Sequence, residues 1–238
     1  MKFIASFFNW IIFIIVALRY VLGGFFYIPF GTAGAYYRRI SPSFGRYMLK
    51  AVGAKASYIG LENIDPSKSY IFAGNHQSYV DIFLVQASLG AAGVHVLFMA
   101  KRDLFKIPLF GTAIRHMGLI PIEKEESRDG LKTMLDSVKT LKEGHSLTVF
   151  AEGSRTKDGR LQPFKKGAFL LSSKTGLEIV PFVIRGTMQI MSANDMHINR
   201  GKECSITFLP AITPEKRSAK ELAEITEDVI TAEYNKDA

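Results

Sequence analysis

From Phe3 to Phe30 the chain is almost free of polar side chains: FIASFFNWIIFIIVAL is followed, after Arg19 and Tyr20, by a second apolar run from Val21 to Phe30 that contains Gly23, Gly24 and Pro29. This is not a soluble surface, and it constrains what the rest of the chain can do. A straight spanning helix needs about 20 apolar residues, and one running from Phe3 to Phe30 would hold Arg19 inside it, at about 2.5–3.5 kcal/mol if central. A hairpin or tilted helix that dips into one leaflet avoids that cost. Arg19 and Tyr20 then lie at headgroup level, and Gly23-Gly24 permits the bend. A cleaved signal peptide is the competing reading, since Lys2, an apolar region and Ala33-Gly34-Ala35 loosely imitate one. The apolar region is too long for that, and Arg19 interrupts it.

Charge follows the same division. Residues 1 to 61 carry Lys2, Arg19, Arg38, Arg39, Arg46, Lys50 and Lys55 and no acid before Glu62, so this segment accounts for most of the formal net charge of +8. Five of these, from Arg38 to Lys55, form a juxtamembrane basic cluster worth about 1 kcal/mol each beside an anionic leaflet. The positive-inside bias puts them, and the domain that follows, on the cytoplasmic side. The remainder is nearly balanced, 23 Lys and Arg against 22 Asp and Glu, which is an ordinary globular surface rather than a nucleic-acid platform. Cys204 is the single cysteine, so no intramolecular disulfide forms and no thiolate metal cage is suggested. Two regions are therefore expected: a membrane-embedded helical segment over residues 1–55 and a globular domain over residues 56–238.

Within the second region short apolar runs alternate with longer amphipathic ones. Strands are expected at Tyr70–Ala73, Val94–Met99, Gly118–Pro121, Ser146–Ala151, Glu178–Ile184 and Cys204–Phe208, and helices at Val80–Leu89, Leu104–Met117, Arg128–Glu143 and Lys166–Thr175. The Arg128–Glu143 helix has a 3.6-residue period and a glycine stop at Gly144. Thr213-Pro214-Glu215 opens a last amphipathic helix carrying Leu222, Ile225, Val229 and Ile230. The pattern predicts an α/β fold with a mainly parallel sheet covered by helices. In such sheets ligands bind beyond the carboxyl ends of the strands. Gly74-Asn75-His76, Lys101 and Glu152-Gly153-Ser154-Arg155 each follow a predicted strand, so three chain segments can converge on one mouth.

His76 and Asp81 are five residues apart and would not share a face of one continuous helix. With His76 in the turn and Asp81 in the first turn of the helix, the carboxylate reaches back to Nδ1 and leaves Nε2 free to take a proton, which makes a general base. The competing reading is a capping box, with Ser78 as N-cap and Asp81 satisfying backbone donors. In Glu152-Gly153-Ser154-Arg155-Thr156, Gly153 lets backbone approach a ligand and Arg155 offers a planar fork for phosphate, with Lys101, Lys165 and Lys166 adding charge. Alone that turn also suits a solvated loop. His95, His116, His145 and His197 show no metal-ligand spacing, and no metal is expected.

These residues fall in blocks that resemble the glycerolipid acyltransferases, most closely the bacterial 1-acyl-glycerol-3-phosphate acyltransferases of the PlsC type. Asn75-His76-Gln77-Ser78-Tyr79-Val80-Asp81 is similar to the family's N-H-x-S-x-x-D block, and Met99-Ala100-Lys101-Arg102-Asp103-Leu104, with Pro108 and Gly111, to its A-K-x-E-L and P-x-x-G block. Phe150 to Thr156, FAEGSRT, is similar to F-P-E-G-T-R-S, and Ile179-Val180-Pro181 to the V-P block. Asp103, Ala151 and Ser154 depart mildly from the usual Glu, Pro and Thr. The resemblance covers about residues 56 to 210. It implies a mainly parallel sheet flanked by helices, an N-terminal helical hairpin in the membrane, and transfer of an acyl group from acyl-CoA or acyl carrier protein to the sn-2 hydroxyl of lysophosphatidic acid without a bound cofactor. His76 would act as base and Asp81 would orient it. Glu152, Gly153, Ser154 and Arg155 would hold the acceptor, Arg155 on its phosphate, with Lys101 assisting. The enzyme would sit on the inner membrane facing the cytoplasm. A different lysophospholipid acceptor, a membrane-bound thioester hydrolase using the same base on water, and a non-enzymatic surface protein remain as rivals.

Overall fold

The computed structural model describes residues 2–122, 145–192, 195 and 197–237. The helix expected over Arg128–Glu143 lies outside the described residues. The chain opens with α1, Lys2–Tyr27, an unbroken helix through Gly23 and Gly24. The expected bend at these glycines is not there. The reversal occurs instead at the short 3₁₀ turn Ile28–Phe30, which ends on Gly31 in the left-handed conformation (φ 68°) before α2, Ala33–Ala51. Gly23 and Gly24 leave room for the returning helix: a Cβ at either would meet the hydroxyl end of Tyr36 or Tyr37. Tyr37 donates to the Val21 carbonyl at 2.8 Å, and Tyr27 stacks on Tyr36 with ring centroids 4.7 Å apart.

Only one arm of this hairpin is uniformly apolar. The stretch Asn9–Phe30 has a mean hydropathy of 2.3 and is long enough to cross a membrane, with 6% of it buried. Ile12, Ile15, Leu18, Leu22 and Phe26, spaced three or four apart, form an exposed stripe along α1, a pattern that fits association with a membrane. The other side of α1 touches the body of the fold: Trp10 and Phe13 pack against the core, and Phe13 meets Phe83 edge to face. In α2, Leu49 and Val52 beyond its end are buried in the main core.

Among the described residues seven strands follow in one sheet: β1 Lys55–Ile59, β2 Ile71–Gly74, β3 Val96–Lys101, β4 Ile120–Ile122, β5 Ser146–Phe150, β6 Ile179–Arg185 and β7 Glu203–Phe208. Their order is β1-β7-β6-β2-β5-β3-β4, parallel throughout except for the antiparallel β6–β7 pair. Helices α3, Asp81–Ala91, and α4, Phe110–His116, together with the helix Gly167–Thr175 and the C-terminal helix Ala219–Tyr234, flank it. Because both faces are covered, strand residues alternate between two cores. Phe72, Val180, Phe182 and Phe208 pack on one face with Leu84 and Val85 of α3. Ile71, Ala73, Leu147 and Val149 pack on the other with Phe169, Leu171 and Leu222.

The six expected strands appear, shifted by no more than two residues. The additional strand β1 is an exposed edge that, among the described residues, pairs only with β7, so it carries no apolar alternation to mark it. Leu104–Met117 is not one helix: a 3₁₀ turn, Arg102–Lys106, is separated from α4 by Pro108 and by Leu109 at positive φ. Proline donates no N–H and disfavours helical geometry in the residue before it. The last helix begins after Ser218, not at Thr213. Ser218 and Glu221 form a reciprocal capping box, while Arg217 N–H closes a turn onto the Pro214 carbonyl.

Candidate active site

β2 is the centre of the sheet, with β5 and β6 as neighbours, and Gly74 pairs in register with Phe150 on one side and Phe182 on the other. The chain leaving its carboxyl end carries Asn75, whose amide locks onto β6: Nδ2 donates to the Ile184 carbonyl at 2.9 Å and Oδ1 accepts from Ile184 N–H at 2.7 Å. This clamp makes the next residue, His76, project from a fixed point.

Asp81 sits at the first residue of α3 and is fully buried. Its Oδ2 accepts three hydrogen bonds, from His76 Nδ1 at 2.7 Å, Gln77 N–H at 2.6 Å and Ser78 N–H at 2.8 Å. One oxygen therefore serves both the imidazole and the turn backbone, but the capping box does not form: α3 starts after Val80, and Ser78 Oγ accepts from Val80 N–H while Asp81 N–H turns to the Ser78 carbonyl. Serving as acceptor for the turn backbone is what aims the carboxylate at the imidazole. An ionised carboxylate only accepts, so Nδ1 carries the proton and Nε2 presents its lone pair outward. Ser78 is a hub within the turn: its Oγ accepts from Val80 N–H at 3.1 Å and donates to the Met191 carbonyl at 2.5 Å. One face of the His76 ring lies on Phe150, the last residue of β5, with centroids 3.8 Å apart and planes 10° apart. Two constraints thus fix the imidazole, a carboxylate in its plane and an aromatic face below it.

The loop after β5 is bound to this turn along its length. Ala151 N–H donates to the Gly74 carbonyl at 2.8 Å and Thr156 N–H to the His76 carbonyl at 2.9 Å. Glu152 is buried, 3% exposed, and both of its oxygens accept from backbone, Oε1 from His76 N–H at 2.8 Å and Oε2 from Gln162 N–H at 3.0 Å. The carboxylate expected to meet an acceptor instead braces the histidine from behind. Burial pushes its pKa up from 4.5 to about 7; the two backbone donors oppose that rise, and the nearby Asp81 charge adds to it. Gly153, at φ 71°, and Ser154 are exposed at the tip of the turn. The guanidinium of Arg155 lies 3.4 Å above the centre of the Tyr79 ring. Lys101 ends β3, with β5 between it and β2, and is exposed at the same end of the sheet.

Sequence reasoning passed over several residues that shape this site. Asn75 and Tyr79 lie inside the N-H-x-S-x-x-D block and carry a local signal. Phe150 opens the FAEGSRT block and carries one too, whereas the C-terminal Tyr234 does not. Tyr234 accepts from Gln77 Nε2 at 2.8 Å and donates to the Gly159 carbonyl at 2.7 Å, so the last helix ties the His76 turn to the loop after β5. Arg185 at the end of β6 holds the same helix end through the Glu233 carbonyl.

A family model described as Acyltransferase matches residues 55–185, more than half of the chain. A chloroplastic 1-acyl-sn-glycerol-3-phosphate acyltransferase of Arabidopsis thaliana is 38% identical over 158 residues, 66% of this chain and 43% of the relative. A protein of the same name from Borreliella burgdorferi is 29% identical over 174 residues, 73% of this chain and 68% of the relative. The chain spans less than half the length of the Arabidopsis protein and of its Brassica napus counterpart. Among solved structures, the 1-acyl-sn-glycerophosphate (LPA) acyltransferase PlsC of Thermotoga maritima superposes with a TM-score of 0.81 at 26% identity, covering 97% of this chain and 95% of that one.

Proposed function

Because this chain belongs to the acyltransferase family, we propose that it transfers a fatty acyl group from an acyl thioester to the free sn-2 hydroxyl of lysophosphatidic acid, yielding phosphatidic acid. The relatives' names supply the acceptor class. The observation that carries the chemistry is the 2.7 Å contact between His76 Nδ1 and a fully buried Asp81 at the carboxyl end of the central strand.

In this reading Nε2 of His76 takes the proton of the glycerol hydroxyl as its oxygen attacks the thioester carbonyl. The tetrahedral intermediate collapses by breaking the carbon–sulfur bond, and the imidazolium returns the proton to the departing thiolate. No acyl-enzyme forms and no cofactor is needed; acyl-CoA or acyl carrier protein is the second substrate. Asp81 holds the tautomer and stabilises the imidazolium, and the Phe150 face assists, since a cation is favoured over an aromatic ring. Glu152 keeps the His76 backbone in place. Arg155 meets the acceptor phosphate with a two-pronged fork, Gly153 and Ser154 shape the same turn, and Lys101 adds charge nearby. The apolar stripe of α1 holds the site at a bilayer where the acceptor resides, with Arg38, Arg39, Arg46 and Lys50 toward an anionic leaflet on the cytoplasmic face of the inner membrane.

The test is purified protein supplied with lysophosphatidic acid and either acyl-CoA or acyl carrier protein thioester, with products identified by mass spectrometry. Phosphatidic acid from wild type and almost none from His76→Ala is the expected result. Free fatty acid as the main product would replace the proposal with thioester hydrolysis.

A further inference from the structure

We propose that Tyr79 is a positioning residue for the acceptor phosphate, acting through Arg155, which it holds by the face of its guanidinium. This rests on the reading that Arg155 meets that phosphate. Arg155 is half-buried, and among the described residues no carboxylate pairs with it. Glu152, three residues before it, spends its two oxygens on backbone N–H groups, and Asp158, three residues after it, faces Arg160 and Thr156. What it rests on is the ring of Tyr79, with the guanidinium carbon 3.4 Å from the ring centre.

The choice of partner has a chemical consequence. A carboxylate would occupy the in-plane N–H donors of the guanidinium and neutralise its charge toward any incoming anion. An aromatic ring takes only the face, through its quadrupole, and leaves the charge and the in-plane fork available. The ring is also well placed to set the fork's direction. Tyr79 stands three residues after His76 and two before Asp81, in the same turn that fixes the base. The plane of the phosphate fork and the Nε2 of the base are therefore referred to one rigid turn. This is what placing the sn-2 hydroxyl against the base requires of an acceptor held by its other end. Tyr79 is 40% exposed, so the ring contributes little to the core and can be exchanged without unfolding the protein.

The experiment compares wild type, Tyr79→Phe, Tyr79→Leu, Arg155→Ala and the Tyr79→Leu/Arg155→Ala double variant. Initial rates are taken with acceptor and donor varied separately, and urea midpoints are recorded alongside. Tyr79→Leu should raise the acceptor KM by about 3- to 30-fold, which converts to roughly 0.7–2 kcal/mol at about 1.36 kcal/mol per tenfold, the range of a partly desolvated cation–π contact. Donor KM and the urea midpoint should stay as in wild type. Tyr79→Phe, which keeps the ring, should lie within about 2-fold of wild type. In the Arg155→Ala background Tyr79→Leu should add nothing, because the two residues act as one unit. If Arg155→Ala raises the acceptor KM while Tyr79→Leu does not, or if the Tyr79 effect persists undiminished without Arg155, the positioning role is wrong and the phosphate reading stands. If Arg155→Ala itself leaves acceptor kinetics unchanged, the phosphate reading fails and the role of Tyr79 falls with it.

Discussion

Replacing Asp81 with Asn separates the charge of the carboxylate from its shape. The side-chain oxygen of Asn can still accept from Gln77 and Ser78 N–H, which approach Oδ2 at 2.6 and 2.8 Å, while the amide nitrogen takes the place of Oδ1, which has no hydrogen-bond partner among the described residues. The turn should therefore survive, with a stability change of about 1–2 kcal/mol from exchanging charge-assisted for neutral hydrogen bonds. Catalysis should not survive. In the proposed mechanism His76 takes the hydroxyl proton, so a unit positive charge develops 2.7 Å from Oδ2, and at an effective dielectric of about 20 that attraction is about 6 kcal/mol. Some of it is recovered by the Phe150 face and by whatever dipole the amide presents, so a loss of about 10³–10⁴ in kcat is expected at about 1.36 kcal/mol per tenfold. The same exchange in the serine-protease triad costs about 10⁴. The assay is kcat at saturating acceptor and donor, with the urea midpoint as the check on folding. A folded Asp81→Asn enzyme within about 10-fold of wild type would refute the argument and leave Asp81 as the cap of a turn.

Three further outcomes follow from the same geometry. Because the folded state holds the Glu152 proton up to about pH 7 while an unfolded Glu releases it near 4.5, the folded form binds more protons in that window, and stability should fall as pH rises from 4.5 to 7 and then level off. Urea titrations across this range should show that slope in wild type and not in Glu152→Gln; an identical slope in both would assign it elsewhere. Tyr234→Phe removes the hydroxyl bridging Gln77 and Gly159 and should cost about 1–2 kcal/mol of stability, read as a urea midpoint, together with a several-fold drop in kcat; unchanged values would show that the two loops need no tie from the last helix. In about 1 M NaCl, where the Debye length is about 3 Å, only the contribution of the basic cluster is screened. The protein should stay with vesicles through the apolar stripe of α1, and complete release into the salt wash would contradict insertion.

What local sequence determines here is whatever is carried by neighbours along the chain. The apolar runs of β2, β3 and β6 announce themselves because strands buried on both faces are near-continuously apolar, while β7 shows as an alternation of Cys204, Ile206 and Phe208 with polar residues. His76 and Asp81 are legible as a pair because a turn joined to a helix start brings residues five apart together, and α1 is legible because Asn9–Phe30 is long and apolar enough to cross a membrane. Gly23-Gly24 does not mark the hairpin bend, for a physical reason. Glycine marks both flexibility and close approach, and only the returning Tyr36 and Tyr37 of α2 decide that here it means close approach. Strand β1 was invisible because an exposed edge needs no apolar pattern, only a partner in β7 more than a hundred residues away. The same holds at the site. Glu152 looks like an acceptor contact until its two oxygens are seen facing His76 and Gln162, and Tyr79 looks like a spacer until Arg155, from another loop, lies on its ring. Tyr234 has no local mark at all. Which polar atoms meet across a sheet is decided by strand order and register, and those are set by the burial of the whole core rather than by any short stretch of sequence.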